Sequence, residues 1–185
     1  MLKLKKGSVR DLTKYYTLFE IDFDERELIG RLALQKALIN GNAEFYIAYD
    51  TDSRIDLAYA LVFGKNVYGY ALIKYFGVFP WYRGRGIGKD AMRLLIAQLA
   101  DKNGIIAEIP VFEENDEAQI KKLTNFFSRF GFEPCPCNYR IGGAETKVLC
   151  KPIKSSNAAG IMHRIIPDFY SRITPSKQTD IKAPG

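Results

Sequence analysis

The sequence predicts an α+β (mixed α/β) domain of three layers. A central, mixed but mostly antiparallel sheet of about 6–7 strands would carry helices on both faces and include one βαβ unit. Three observations carry this. Residues 44–79 hold three β-rich runs joined by connections short enough only for antiparallel neighbours. Residues 67–111 read strand, amphipathic helix, strand, and a crossover of that length makes the two strands parallel. Two further runs flank Gly142-Gly143, a hairpin signal.

The elements follow in order. Residues 1–6 read as a strand. Ser8 is placed to cap a helix, with Asp11 in the capping-box position and Leu12, Tyr15, Tyr16 and Phe19 at helical spacing. A second helix is expected over 25–39, with Leu28, Leu32, Gln35 and Ile39 marking one side and Asn40-Gly41 ending it. Strands are expected over 44–49, 55–63 and 67–79, with a turn at 50–53 and Pro80 closing the last strand. Ile87, Ala91, Leu94, Leu95 and Leu99 form the apolar face of a helix over 87–102, closed by Asn103-Gly104. A strand over 105–111 and a helix over 116–130, stopped by Gly131, lead to a hairpin of 132–140 with 146–151. This organisation predicts one domain, 1–152. The composition then changes to Ser, Asn, Lys and Pro. Residues 153–185 read as a C-terminal extension with a short helix over 161–173 and a disordered final dozen.

Composition bounds the function. Of 185 residues, 47% are hydrophobic and 26% charged, ordinary for a globular domain. No apolar run reaches the length of a membrane span, and the charged start is no secretion signal. The cytoplasm is therefore the expected location, with no membrane partner. The net charge of +6 suits nucleic acid, an anionic membrane or a phosphorylated cofactor. The basic residues are scattered, however, and no nucleic-acid recognition pattern appears. Three cysteines, Cys135, Cys137 and Cys150, are too few for a disulfide framework. With His163 the only histidine, no metal site is expected. The cysteines read as reduced thiols on or beside a strand.

The most informative stretch is Val78-Phe-Pro-Trp-Tyr-Arg83-Gly84-Arg85-Gly86-Ile87-Gly88-Lys89. A strand runs into a glycine-rich turn that opens a strong helix. The first N–H groups of a helix have no internal partner, its dipole places positive potential there, and glycines admit close approach and positive φ. The result is a pocket for a phosphate or pyrophosphate. Arg83, Arg85 and Lys89 would add mobile positive charge. Neither familiar phosphate loop fits. A P-loop needs glycine at Arg83 and Ser or Thr at Asp90, and a dinucleotide fingerprint from Gly84 needs glycine at Lys89.

Arg83-Gly-Arg-Gly86-Ile-Gly88 matches the Arg/Gln-x-x-Gly-x-Gly/Ala motif of the GNAT (Gcn5-related) N-acetyltransferases, after the strand and before the helix where that family carries it. The later Gly131-Phe132 adds to the match. The chain therefore resembles that family, strongly over 67–105 and reasonably to 150. The resemblance implies the three-layer GNAT-like fold and acyl-CoA-dependent acetyl transfer, with acetyl-CoA as cofactor. Backbone N–H groups of Arg85, Gly86, Ile87, Gly88 and Lys89, on a turn begun by Arg83-Gly84, would hold the coenzyme A pyrophosphate. The strand edge at Gly77, Val78 and Phe79 would bond the pantetheine arm. The parallel pair would splay at one end to admit the thioester, with the amine arriving from the other side.

Transfer of acetyl to a primary amine by direct attack needs a base for the ammonium and benefits from an acid for the thiolate. The acceptor would be a small molecule, an amino acid or a peptide. Glu108, mid-strand in Ile106-Ala-Glu108-Ile, is the candidate base, because a carboxylate among apolar residues faces a cleft or has a partner. The acidic run Glu113, Glu114, Asp116 and Glu117 reads instead as a helix start. The family often places a tyrosine four residues before Gly-Phe; here Phe127 stands there, with no proton to give. Asn115 and Ala118 echo a family pair but lie a turn too far from Gly131. Tyr139, on the closing hairpin, is the substitute donor, with Cys137 a weaker one. The competing reading is a non-catalytic acyl-CoA-binding module, sensor or regulator, on the same fold. A monomer and a homodimer fit the sequence equally.

Overall fold

The computed structural model describes residues 1–113, 117–155 and 159–174. Seven strands form one sheet: β1 (Leu2–Gly7), β2 (Ala43–Asp50), β3 (Asp56–Phe63), β4 (Tyr70–Val78), β5 (Gly104–Val111), β6 (Glu133–Ile141) and β7 (Ala144–Pro152), in the order β1-β2-β3-β4-β5-β7-β6. Among the described residues the α-helices are α1 (Val9–Asp22), α2 (Arg31–Ile39), α3 (Ile87–Gln98), α4 (Glu117–Ser128) and α5 (Met162–Ile173). Every strand pair is antiparallel except β4 with β5, which α3 connects. The mixed α+β class and the single βαβ unit are as the sequence predicts.

Two cores sandwich the sheet. On one face, Leu12, Tyr16 and Phe19 of α1, Leu34 and Ala37 of α2, and Met162, Ile165, Ile166, Phe169, Tyr170 and Ile173 of α5 pack on Phe45, Leu61, Leu72 and Ile106. On the other, Met92, Leu95 and Leu99 of α3 and Ile120 and Phe127 of α4 pack on Val62, Ile73, Ala107 and Leu149. Among the described residues no helix is long and apolar enough to cross a membrane.

Local chemistry explains the helix ends. Ser8 accepts from Asp11 N while Asp11 accepts from Ser8 N, the reciprocal bonds of a capping box. Gly142 and Gly143, at φ 56° and 85°, close the β6–β7 hairpin with the left-handed backbone such a turn needs.

The second helix departs from expectation. It begins at Arg31, not at residue 25, and Leu32 and Ile39, expected on its inner side, are 70% and 72% exposed. The preceding segment is held as a turn instead. Asp24 accepts from Arg26 N at 2.9 Å, Tyr16 donates to Ile29 O at 3.0 Å, and Ile29 N donates to Tyr75 at 2.9 Å. These bonds compete with the helical ladder for the same backbone groups. Asp116, expected to open α4, lies outside the described residues, as do Glu114, Asn115 and the final residues 175–185.

Candidate functional site

The glycine turn sits between β4 and α3. Phe79 N donates to Leu57 O at 3.0 Å where the strand ends, and Pro80–Tyr82 make one tight 3-10 turn. Gly84 and Gly86 both take φ 78°, and Gly86 is the N-cap of α3. A side chain is disfavoured at that φ, so these two glycines are conformational requirements. Among the described residues no backbone carbonyl accepts from the N–H groups of Gly84, Arg85 or Gly86. An ideal Cβ on either glycine meets nothing within 4 Å, so the turn has open space beside it at both positions. Gly88 acts differently: a Cβ there would stand 3.2 Å from Val78, so its small size lets α3 close on β4.

The three basic residues divide. Arg85 and Lys89 are exposed. Arg83 is not the mobile charge expected of it. Its Nε donates to Val78 O at 2.9 Å and its guanidinium pairs with Asp22, ending α1. It braces the turn against the strand and the helix. Asp22 also accepts from Tyr59 at 2.7 Å, and the Tyr59 ring fills the space above Gly77, where a Cβ would lie 2.5 Å from it. Gly77 therefore serves the packing of Tyr59. Val78 and Phe79 lie at the strand end beside the turn, and Trp81, 77% exposed, stands next to it.

Below the turn the sheet opens. Parallel pairing of β4 and β5 runs from Tyr70↔Gly104 to Ile73↔Ala107 and stops, although both strands continue. Lys74 and Glu108 are the first residues past that last pair. Lys74 is also skipped in the β3–β4 register, where Leu61 faces Tyr75 and Val62 faces Ile73. The bulge turns Lys74 toward Glu108. Their side chains are 1% and 2% exposed, with Nζ 3.5 Å from Oε2.

Aromatic groups close over this pair. Tyr170 of α5 donates to Glu108 Oε2 at 2.6 Å. The Lys74 ammonium lies 5.3 Å from the Tyr75 ring centre and 5.5 Å from that of Tyr170, a cation–π arrangement. Burial first, then the Glu108 charge, pushes the Tyr139 and Tyr170 phenols well above the usual tyrosine value. Both stay neutral and protonated. Glu108 Oε1 and the Tyr139 hydroxyl are buried and make no well-aligned hydrogen bond among the described residues, though the Tyr139 hydroxyl lies close enough to Glu108 to interact with it. Burial also raises the carboxyl of Glu27, which Lys74 partly offsets.

The structure thus brings Glu108 and Tyr139, both singled out in the sequence, to one buried cluster. Phe127 lies in the opposite core. Cys135 and Cys137 lie on β6 and Cys150 on β7, all as free thiols. Sequence reasoning missed Lys74, Glu27 and Tyr170. Lys74 carried a signal, a cation inside Tyr70-Ala-Leu-Ile-Lys74-Tyr-Phe, as anomalous as Glu108 in its own strand. Tyr170 carried none, since its contact depends on how α5 docks. A cavity of about 320 Å³ beside the turn is lined by Arg85 and Tyr82 but also by Asp50 and Asp90. Those carboxylates repel phosphate, so the unpaired amides make the better anion site.

The profile of the "Acetyltransferase (GNAT) family" matches residues 10–132. The chain belongs to this family of N-acetyltransferases, and its enzyme class is acetyl transfer to amines. Solved structures share the fold at low identity. A putative GNAT-family acetyltransferase from Bacteroides thetaiotaomicron is 17% identical, with a TM-score of 0.72 over 95% of this chain and 99% of its own. Mutant forms of the spermidine/spermine N-acetyltransferase SpeG from Vibrio cholerae are 13% identical, with a TM-score of 0.62 over 82% of this chain and 95% of theirs. Arabidopsis thaliana NAA60, in complex with a bisubstrate analogue, is 13% identical, with a TM-score of 0.62 over 84% and 100%. A search of the curated proteins finds no match by sequence.

Proposed function

We propose that this chain binds acetyl-CoA at the turn and transfers its acetyl group directly to a primary amine of a small molecule, an amino acid or a peptide. The observation that carries the reading is the set of amides at Gly84, Arg85 and Gly86 with no backbone acceptor, at the mouth of α3 on a turn with open space beside Gly84 and Gly86. With the helix dipole behind them they suit the pyrophosphate. Ile87 and Gly88 supply the first helical N–H groups and the Lys89 side chain a further cation; the Lys89 N–H, expected to join them, instead donates to Gly86 O at 3.0 Å. Arg83 holds the turn in place. The edge of β4 at Gly77, Val78 and Phe79, left without a β5 partner beyond Ile73, is where a pantetheine arm would lie.

In this reading Glu108, at the point where the strands part, takes the proton from the amine. Oε2 is engaged by Tyr170 and Lys74, and Oε1 is the oxygen left to accept. The cofactor supplies the activated acyl group, so no protein nucleophile is required. Tyr139, protonated and beside Glu108, is the donor to the departing thiolate. Residues 1–152 form the transferase domain, with 153–185 as an extension whose helix joins the core. A cytoplasmic location and the absence of a nucleic-acid partner fit this chemistry. The test is turnover: purified protein, acetyl-CoA and a panel of primary amines should release free thiol. Tight acetyl-CoA binding with no thiol release from any amine would favour a non-catalytic module.

A further inference from the structure

We infer that Lys74 is itself an acetyl acceptor, modified from within by the bound acyl-CoA. This rests on the function proposed above and concerns the same site.

Helix α5 covers one side of the Lys74–Glu108 pair. Helix α5 lays Phe169 and Tyr170 over Phe63, and Tyr170 seals the Glu108 carboxylate. The Lys74 and Glu108 side chains are 1% and 2% exposed, while Phe76, Gly77 and Val78 of β4 and Pro110 and Val111 of β5, past them on the parted strands, are half-buried. A primary amine is already at the fork. Lys74 Nζ stands 3.5 Å from Glu108 Oε2, held over two tyrosine rings, one residue past the last parallel pair. The bulge in β4 takes Lys74 out of the β3 register and directs it to this point. An amine beside a base, on the unpaired edge where the pantetheine would run, is placed as an acceptor would be. Glu108 Oε1, buried and bonded by neither Lys74 nor Tyr170, has capacity for the proton.

The step balances. Glu108 takes one proton from the Lys74 ammonium. The freed Nζ attacks the thioester carbonyl of acetyl-CoA, a C–N bond forms and the C–S bond breaks. The thiolate departs and is protonated to coenzyme A, and one proton is released overall. The product is an amide, which is no acyl donor, so the acetyl group stays. Its charge gone, Lys74 no longer neutralises the two carboxylates near it, Glu27 and Glu108, and the cluster becomes more attractive to a cationic amine.

The experiment follows acetylation of the full chain by acetyl-CoA, with peptide mass spectrometry at each lysine and calorimetry of coenzyme A binding alongside. Lys74 should gain an acetyl group at least about tenfold faster than exposed Lys3, Lys65 and Lys89, because a held amine reacts as an intramolecular group. Simple chemical acetylation would reach the buried lysine last. The rate should not depend on protein concentration, should fall in Glu108→Gln, and should vanish in urea. Coenzyme A binding without acetyl at Lys74 overturns this inference and leaves the proposed function standing. Absence of binding overturns both.

Discussion

Gly86→Val separates the phosphate-binding role of the turn from its role in the fold. Gly86 takes φ 78° at the N-cap of α3, and a left-handed conformation costs a residue with a Cβ about 1–2 kcal/mol, a β-branched one somewhat more. No clash is added, since a Cβ there meets nothing within 4 Å. A domain of this size has roughly 5–15 kcal/mol of stability, so the variant should fold. Its melting midpoint should drop by about 3–8 °C at about 2–4 °C per kcal/mol. Binding should suffer far more. Two methyl groups would stand in the open space beside Gly86, where the proposed pyrophosphate would lie. A hydrogen bond to a charged group contributes about 1.5–3 kcal/mol, so losing two weakens coenzyme A binding by a hundredfold or more, on the order of 3 kcal/mol. Trp81, the only tryptophan, stands beside the turn, so its fluorescence provides the titration. Calorimetry checks affinity, and circular dichroism melting checks the fold. A folded Gly86→Val protein binding coenzyme A within about threefold of the parent chain would refute the placement of the pyrophosphate.

Three other perturbations test other parts. Glu108→Ala leaves the Lys74 ammonium buried without its carboxylate and should cost about 3–5 kcal/mol in denaturant unfolding; Lys74→Met combined with Glu108→Leu should recover most of it. Glu27 has a folded-state value above the ordinary 4.5, chiefly through burial, so the folded state holds that proton more tightly than the unfolded chain. Its ionisation then subtracts from stability as pH rises above 4.5; Glu27→Gln should raise the melting midpoint at about pH 7 and lose that advantage near about pH 4. Gly77→Ala would drive a methyl into the Tyr59 ring, 2.5 Å away. It should destabilise by about 1–3 kcal/mol, and a loss of coenzyme A affinity without loss of stability would contradict the packing role of Gly77.

The parts of the molecule legible in the sequence are those fixed by local chemistry. Ser8 and Asp11 announce α1 because the capping box closes within four residues. The glycines at 84 and 86 announce the turn because only a left-handed backbone needs them. The spacing of 67–111 announces the parallel pair because a crossover helix is the short route between parallel strands. Long-range competition hid the rest. Nothing near residues 25–30 shows that Tyr16 and Tyr75 capture the backbone of Ile29 and hold off the helix until Arg31. The exposed Leu32 and Ile39 mislead for the same reason, since moving the helix start changes which residues it buries. Glu108 stood out as a charge in an apolar strand. Its partners did not, because the bulge at Lys74 and the docking of Tyr170 are set by the packing of β3 and α5.

The polar cluster at the fork is poor value as a device for stability. A buried ion pair roughly breaks even against well-packed apolar side chains, and this one is long, at 3.5 Å. Around it two buried polar atoms, Glu108 Oε1 and the Tyr139 hydroxyl, make no well-aligned hydrogen bond, and a buried polar atom left fully unsatisfied costs about 1–3 kcal/mol. Leucines and phenylalanines at the same positions would satisfy the core at less cost. The strain is also local: the surrounding core of Phe63, Leu72, Ile106 and Phe169 is apolar and closely packed. In the proposed mechanism, this cost is concentrated at the one point where the parallel strands part because that is where the proton is to be moved. If the double replacement of Lys74 and Glu108 proved more stable than the parent chain yet bound coenzyme A unchanged and released no thiol, stability and chemistry would be separated at this cluster.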